Sequence, residues 1–105
     1  MDELLAIVKE IGLPNAYNHF AESEAPAVPY LLYLIPGNDN ISADDRAYVK
    51  INEVHLELYT DCKDLAAEEQ VESVLDAHDI FYDRSETWIE SEKLYEVLYI
   101  FDLEA

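Results

Sequence analysis

The sequence predicts an α+β domain in which a mainly antiparallel sheet of four or five strands is flanked by two helices. Three observations carry this. The chain is 105 residues long, enough for one domain with a core of its own. Half of its residues are apolar or aromatic, and it holds only two Gly and four Pro. Two segments repeat apolar residues at helical spacing, whereas the others alternate them or run apolar throughout.

Leu4, Leu5, Ile7, Val8 and Ile11 gather on one face of a helix near residues 3 to 11, with Glu3, Lys9 and Glu10 opposite. Gly12 and Pro14 end it, and residues 13 to 26 read as a connection. Pro29 to Pro36 is apolar on both alternating faces, as in a strand with one face on the core and the other under a helix or a neighbouring subunit. Residues 36 to 45 are rich in turn formers and read as a polar loop or arm. Residues 46 to 60 read as extended, with a bulge or tight turn at Asn52-Glu53 where the apolar phase changes. Asp61 to Asp64 supplies caps for a second helix, near 64 to 78, striped by Leu65, Val71, Val74, Leu75 and His78. Two further strands, 80 to 89 and 93 to 103, turn at Ser91-Glu92, and the second places Tyr95, Val97, Tyr99, Phe101 and Leu103 on one face.

Charge and motifs exclude more than they assign. Twenty-four Asp and Glu face six Lys and Arg, a formal charge of -18, so neither a direct DNA grip nor adhesion to an anionic membrane is expected. No run approaches the roughly 20 apolar residues of a membrane helix, and the first twelve residues, with acids and a Lys among the aliphatics, are not expected to act as a secretory signal. Cys62 is alone, which excludes an intrachain disulfide and the two-Cys metal motifs. Glu53, His55 and Glu57 alternate along one strand but give three ligands at most, and the acids of 38 to 49 miss the calcium-loop spacing. We therefore expect no catalytic residue, no cofactor and no bound metal. Eight Tyr are more than one small core hides, and such side chains suit contacts with one end buried. Tyr30, Tyr33, Tyr95 and Tyr99, with Asn38, Asp39, Asn40, Asp44 and Asp45 of the polar loop, are the candidate interaction residues.

In order along about 90 residues come Gly12-Leu13-Pro14, Ala16-Tyr17 and Phe20, then Pro29-Tyr30-Leu31-Leu32-Tyr33, then Asn40 with Ala43-Asp44. Glu57-Leu58-Tyr59-Thr60, Lys63-Asp64, Ile89-Glu90-Ser91-Glu92, Leu94-Tyr95, Tyr99 and Phe101 follow. This order and spacing resembles the tail terminators, also called tail completion or tail-to-head joining proteins, of long-tailed phages and prophages of Gram-positive bacteria. The resemblance implies a sheet flanked by helices and a hexameric ring capping the tail tube. It also implies contacts with the major tail tube protein and the head-completion or connector protein, a place in the virion neck, assembly in the host cytoplasm, and no catalytic residues. Head-closure and adaptor proteins of the neck are similarly small. The rival from another class is an acidic DNA mimic that inhibits a nuclease or restriction enzyme, and a third is a metal-dependent enzyme built on Glu53, His55 and Glu57.

Overall fold

A computed structural model describes residues 1–21, 24–38, 40–43 and 46–105, with the side chains of 41–48 left aside. Helix α1 (Asp2–Ile11) buries Leu4, Ile7, Val8 and Ile11. Leu5, which the spacing also assigned to this face, turns outward, because a residue next to the stripe lies 100° round the helix. Gly12 closes α1 in the left-handed region at φ 79°, its N–H donating to the Val8 carbonyl, a conformation in which a side chain would be strained.

The sheet is built from β1 (Asn15–Tyr17), β2 (Tyr30–Asn38), β5 (Ile51–Thr60), β6 (Asp83–Ile89) and β7 (Leu94–Glu104) in the order β1-β2-β5-β7-β6. All neighbours are antiparallel except β1 and β2. Strands β3 (Ile41–Ala43) and β4 (Arg46–Val49) pair as a separate hairpin between β2 and β5. The segment read as a loop or arm at 36 to 45 thus starts inside β2 and includes β3. Strand β5 is straight in register against β7 from Ile51 opposite Glu104 to Thr60 opposite Tyr95, so no bulge falls at Asn52-Glu53. The irregularity lies on β2, between Leu34 and Gly37, where Pro36 has no N–H for the ladder. The phase change in the sequence needs no break in the strand: Ile51 shares the outer-face parity of His55 and Glu57, whereas Val54, Leu56 and Leu58 point to the core, and β4 and β5 part earlier, at Lys50.

Leu31 and Tyr33 of β2, Val54, Leu56 and Leu58 of β5, and Val97, Tyr99, Phe101 and Leu103 of β7 line the inner face. They form one core with α1 and with Ala67, Val71 and Leu75 of helix α2 (Leu65–Ala77). Both helices therefore cover the same side of the sheet. Asp64 caps α2 by accepting the Ala67 N–H at 3.0 Å.

Two polar devices tie the helical layer together. His78, the carboxyl-terminal cap of α2, sets Nε2 2.9 Å from Glu10 and Nδ1 3.5 Å from Glu3, both on α1. The hydrogen bond to Glu10 holds the imidazole pKa above its ordinary value despite partial desolvation. A raised folded-state pKa gives stability that is full below the unfolded value near 6.5 and lost as pH rises through the folded value. His78→Gln should therefore destabilise by roughly 1 kcal/mol near pH 5.5, and the deficit should shrink in melts above pH 8.

The second device fastens edge strand β6, whose side chains are otherwise exposed. Arg84 meets the Glu68 carboxylate of α2, reaches Glu86 at 2.6 Å and approaches Glu72 at 3.5 Å. Lys63 bonds Glu68 Oε1 at 3.0 Å and Glu86 at 2.8 Å. It also lies 2.9 Å from Glu68 Oε2, an ion-pair distance without a directed hydrogen bond. Bonds from Lys63 first, then Tyr95 and Arg84, hold the Glu86 carboxyl down at about 2.

Candidate interaction surface

Because side chains alternate along a strand, burying one set leaves the other on the outer face. Neither helix covers that face, and register defines its rows. Tyr30 stands beside Tyr59 and Glu96; Leu32 beside Glu57, Leu98 and Ser85; Leu34 beside His55, Ile100 and Asp83. Viewed along the strands, β5 contributes a polar column of Glu53, His55, Glu57 and Tyr59. The aliphatic columns Leu32–Leu34 and Leu98–Ile100 flank it. These four aliphatic side chains are half-buried, shielded from the sides and open above.

At one end Phe20 meets Tyr30 edge-on at 5.2 Å, and Tyr30 stacks on Tyr59 at 5.4 Å. The Tyr59 hydroxyl lies 2.8 Å from Glu57 and 2.7 Å from Glu96. A phenol has one proton, so it donates to one carboxylate at a time, and the other bonds the phenol oxygen only when it carries a proton of its own to donate. Burial, reinforced by the neighbouring Glu96, pushes the Glu57 carboxyl pKa up, while the Tyr59 bond and His55 temper the rise. Burial and the two carboxylates push the phenol up as well. His55 Nε2 sits 2.9 Å from Glu53, and among the described residues no three His, Cys, Asp or Glu are grouped to hold a metal.

The sign of the Glu57 shift is testable. A carboxyl raised above its unfolded value costs the fold stability once ionised, so the cost is full above the folded pKa and absent below the unfolded one. Glu57→Gln keeps an acceptor for Tyr59 and should melt higher than the parent at pH 7. The gain should vanish below about pH 4 in paired thermal melts.

Of the candidate residues, Tyr30 belongs to this face. Two others are corrected: Tyr33 and Tyr99 are buried on the inner face, Tyr99 completely. Their parity matches Leu31 and Val97, and the Tyr99 hydroxyl finds its partner inside, donating to Glu72 at 2.7 Å. Tyr95 lies at the β6 fastening, donating to Glu86 with Lys63 over its ring. Asn38 is exposed opposite Asn52, and Asn40 accepts the Ile51 N–H at 3.0 Å, pinning the base of the β3–β4 hairpin. Asp39, Asp44 and Asp45 lie outside the described residues. Leu98 and Ile100 were missed as surface residues, although the last strand, like Tyr30 to Ile35, is apolar on both parities.

Fold and face together define an α+β domain with one helix-covered sheet surface and one open surface of mixed aliphatic and acidic character. No protein-family model matches the sequence, and no curated protein matches it. Among solved structures the fold is similar to that of a chain from the virion of a native gene transfer agent particle. The TM-score is 0.61 and the identity 14%, over 93% of this chain and 82% of that one. At that identity the likeness is one of fold.

Proposed function

We propose that the chain is a structural component of a phage-type virion, acting through assembly and not through chemistry. Its place in the particle is the neck, where it serves as a tail terminator: a hexameric ring that caps the tail tube and joins it to the head connector. The observation that carries this reading is the fold likeness to a virion chain across 93% of the sequence. The open sheet face supports it, since aliphatic side chains left without a covering layer suit a protein that is completed by its neighbours. Charge fits as well. Each copy brings -18, and any part of it lining a central channel repels phosphate and lets DNA pass without sticking. Among the described residues no helix is long and apolar enough to cross a membrane.

Immunogold labelling of particles assembled with an epitope-tagged chain tests the placement. Gold at the head-proximal end of the tail is expected. Gold on capsids, or particles that never carry the tag, would remove the neck assignment.

A further inference from the structure

The outer sheet face carries Glu53, Glu57, Glu96, Asp83, Asp102 and Glu104, and among the described residues no Lys or Arg of the sheet strands shares it, since Arg84 of β6 has the parity of the inner face, opposite Tyr99. A second copy is poorly equipped to meet it. Of six basic residues in the whole sequence, Lys63, Arg84 and Lys93 are already engaged with acids of their own chain. Of the other three, Lys9 sits on α1, on the opposite side of the sheet, Lys50 stands singly just before β5, and the side chain of Arg46 lies outside the described residues.

The aliphatic columns on β2 and β7 lie two strand spacings apart, about 10 Å, with the polar β5 column between them. That width matches the roughly 10 Å diameter of a helix lying along β5. Such a helix presents its central stripe to Glu53, His55 and Glu57 while its shoulders rest on Leu32–Leu34 and Leu98–Ile100. Complementary charge requires the stripe to be basic.

We infer that the outer face of the sheet is the docking surface for a helix of a different protein, with a Lys or Arg stripe flanked by aliphatic side chains. The inference deepens the assembly reading and rests on it for its biological sense, by giving the chemistry of the partner. The aliphatic contacts supply attraction that survives salt, and the acids select against a second acidic copy.

The probe is a synthetic helical peptide with one Lys stripe between two Leu rows. It is titrated into the isotopically labelled full chain at about 0.3 M salt, where long-range attraction is screened. Chemical-shift changes confined to the outer-face rows are expected. A Glu-stripe peptide should not bind, and an all-Lys peptide should bind at least about tenfold more weakly. Ser85→Arg places a cation on the exposed edge strand without touching the core, and Glu57→Lys reverses the central column; each should weaken binding about tenfold with unchanged circular dichroism. Equal shifts on the helices, equal binding of the all-Lys peptide, or insensitivity to both variants would overturn the inference. So would salt-induced self-association that Ser85→Arg abolishes, which would give the face to a second copy. No tail or ring enters the readout, so a misplaced gold label with intact peptide binding would strike the neck assignment alone.

Discussion

Arg84→Ala should destabilise the domain by about 3 kcal/mol and lower its melting temperature by on the order of 15 °C. The reason is the group left behind. Glu68 exposes only 6% of its side chain, and its charge is tolerated because Arg84 and Lys63 converge on it. Without the guanidinium, a largely desolvated carboxylate keeps one partly exposed ammonium as its partner. Arg84 itself is 31% exposed, which puts the effect at the lower end of the range for a broken buried pair. Adding Glu68→Gln to Arg84→Ala should recover most of the loss, since the cost belongs to the stranded charge. A single-variant cost below about 1 kcal/mol would mean that solvent already screens the network.

The second large effect separates core from surface at a residue where sequence and structure disagree. Tyr99→Ala should cost about 4 kcal/mol, because the ring is fully enclosed under α2 and packs edge-on against Tyr82 at 5.4 Å. Tyr99→Phe should cost only about 1 kcal/mol, since Glu72 keeps Arg84 at 3.5 Å after losing the hydroxyl. Denaturant unfolding of the two variants reads both numbers. Near-neutral stability with impaired assembly would return Tyr99 to the surface.

Both helices were legible because their stripes follow helical spacing and end on Gly12 and Asp64, local signals that need no tertiary information. The inner row of β7 was legible too, and that row already contained Tyr99 between Val97 and Phe101. Its parity should have outweighed the preference of Tyr for interfaces, which acts only where a hydroxyl has no partner within the fold. Strand β1 was not legible. It has three residues without alternation, and it exists because the edge of β2 offers parallel partners from Asn15 opposite Leu31 to Tyr17 opposite Tyr33. The Arg84 network was also hidden, since its members are brought together by the packing of α2 on β6, 16 residues apart for Arg84 and Glu68. The outer face was half visible. Tyr30 to Ile35 announced a second buried side, but only the register placed Leu98 and Ile100 across β5 from it.

Self-assembly on a tail tube is the central claim, and charge makes it testable by sedimentation. A chain of charge -18 opposes self-association, and screening weakens that repulsion, with a Debye length of roughly 10 Å at 0.1 M salt. Analytical ultracentrifugation across a salt series, with and without tail tubes, is the most direct measurement. The account predicts monomers at low salt, a ring-sized species as salt rises or tubes are added, and co-sedimentation with the tubes. A chain that stays monomeric at high salt and never sediments with tubes, yet binds a basic nuclease that salt strips away, would contradict it and identify a DNA mimic.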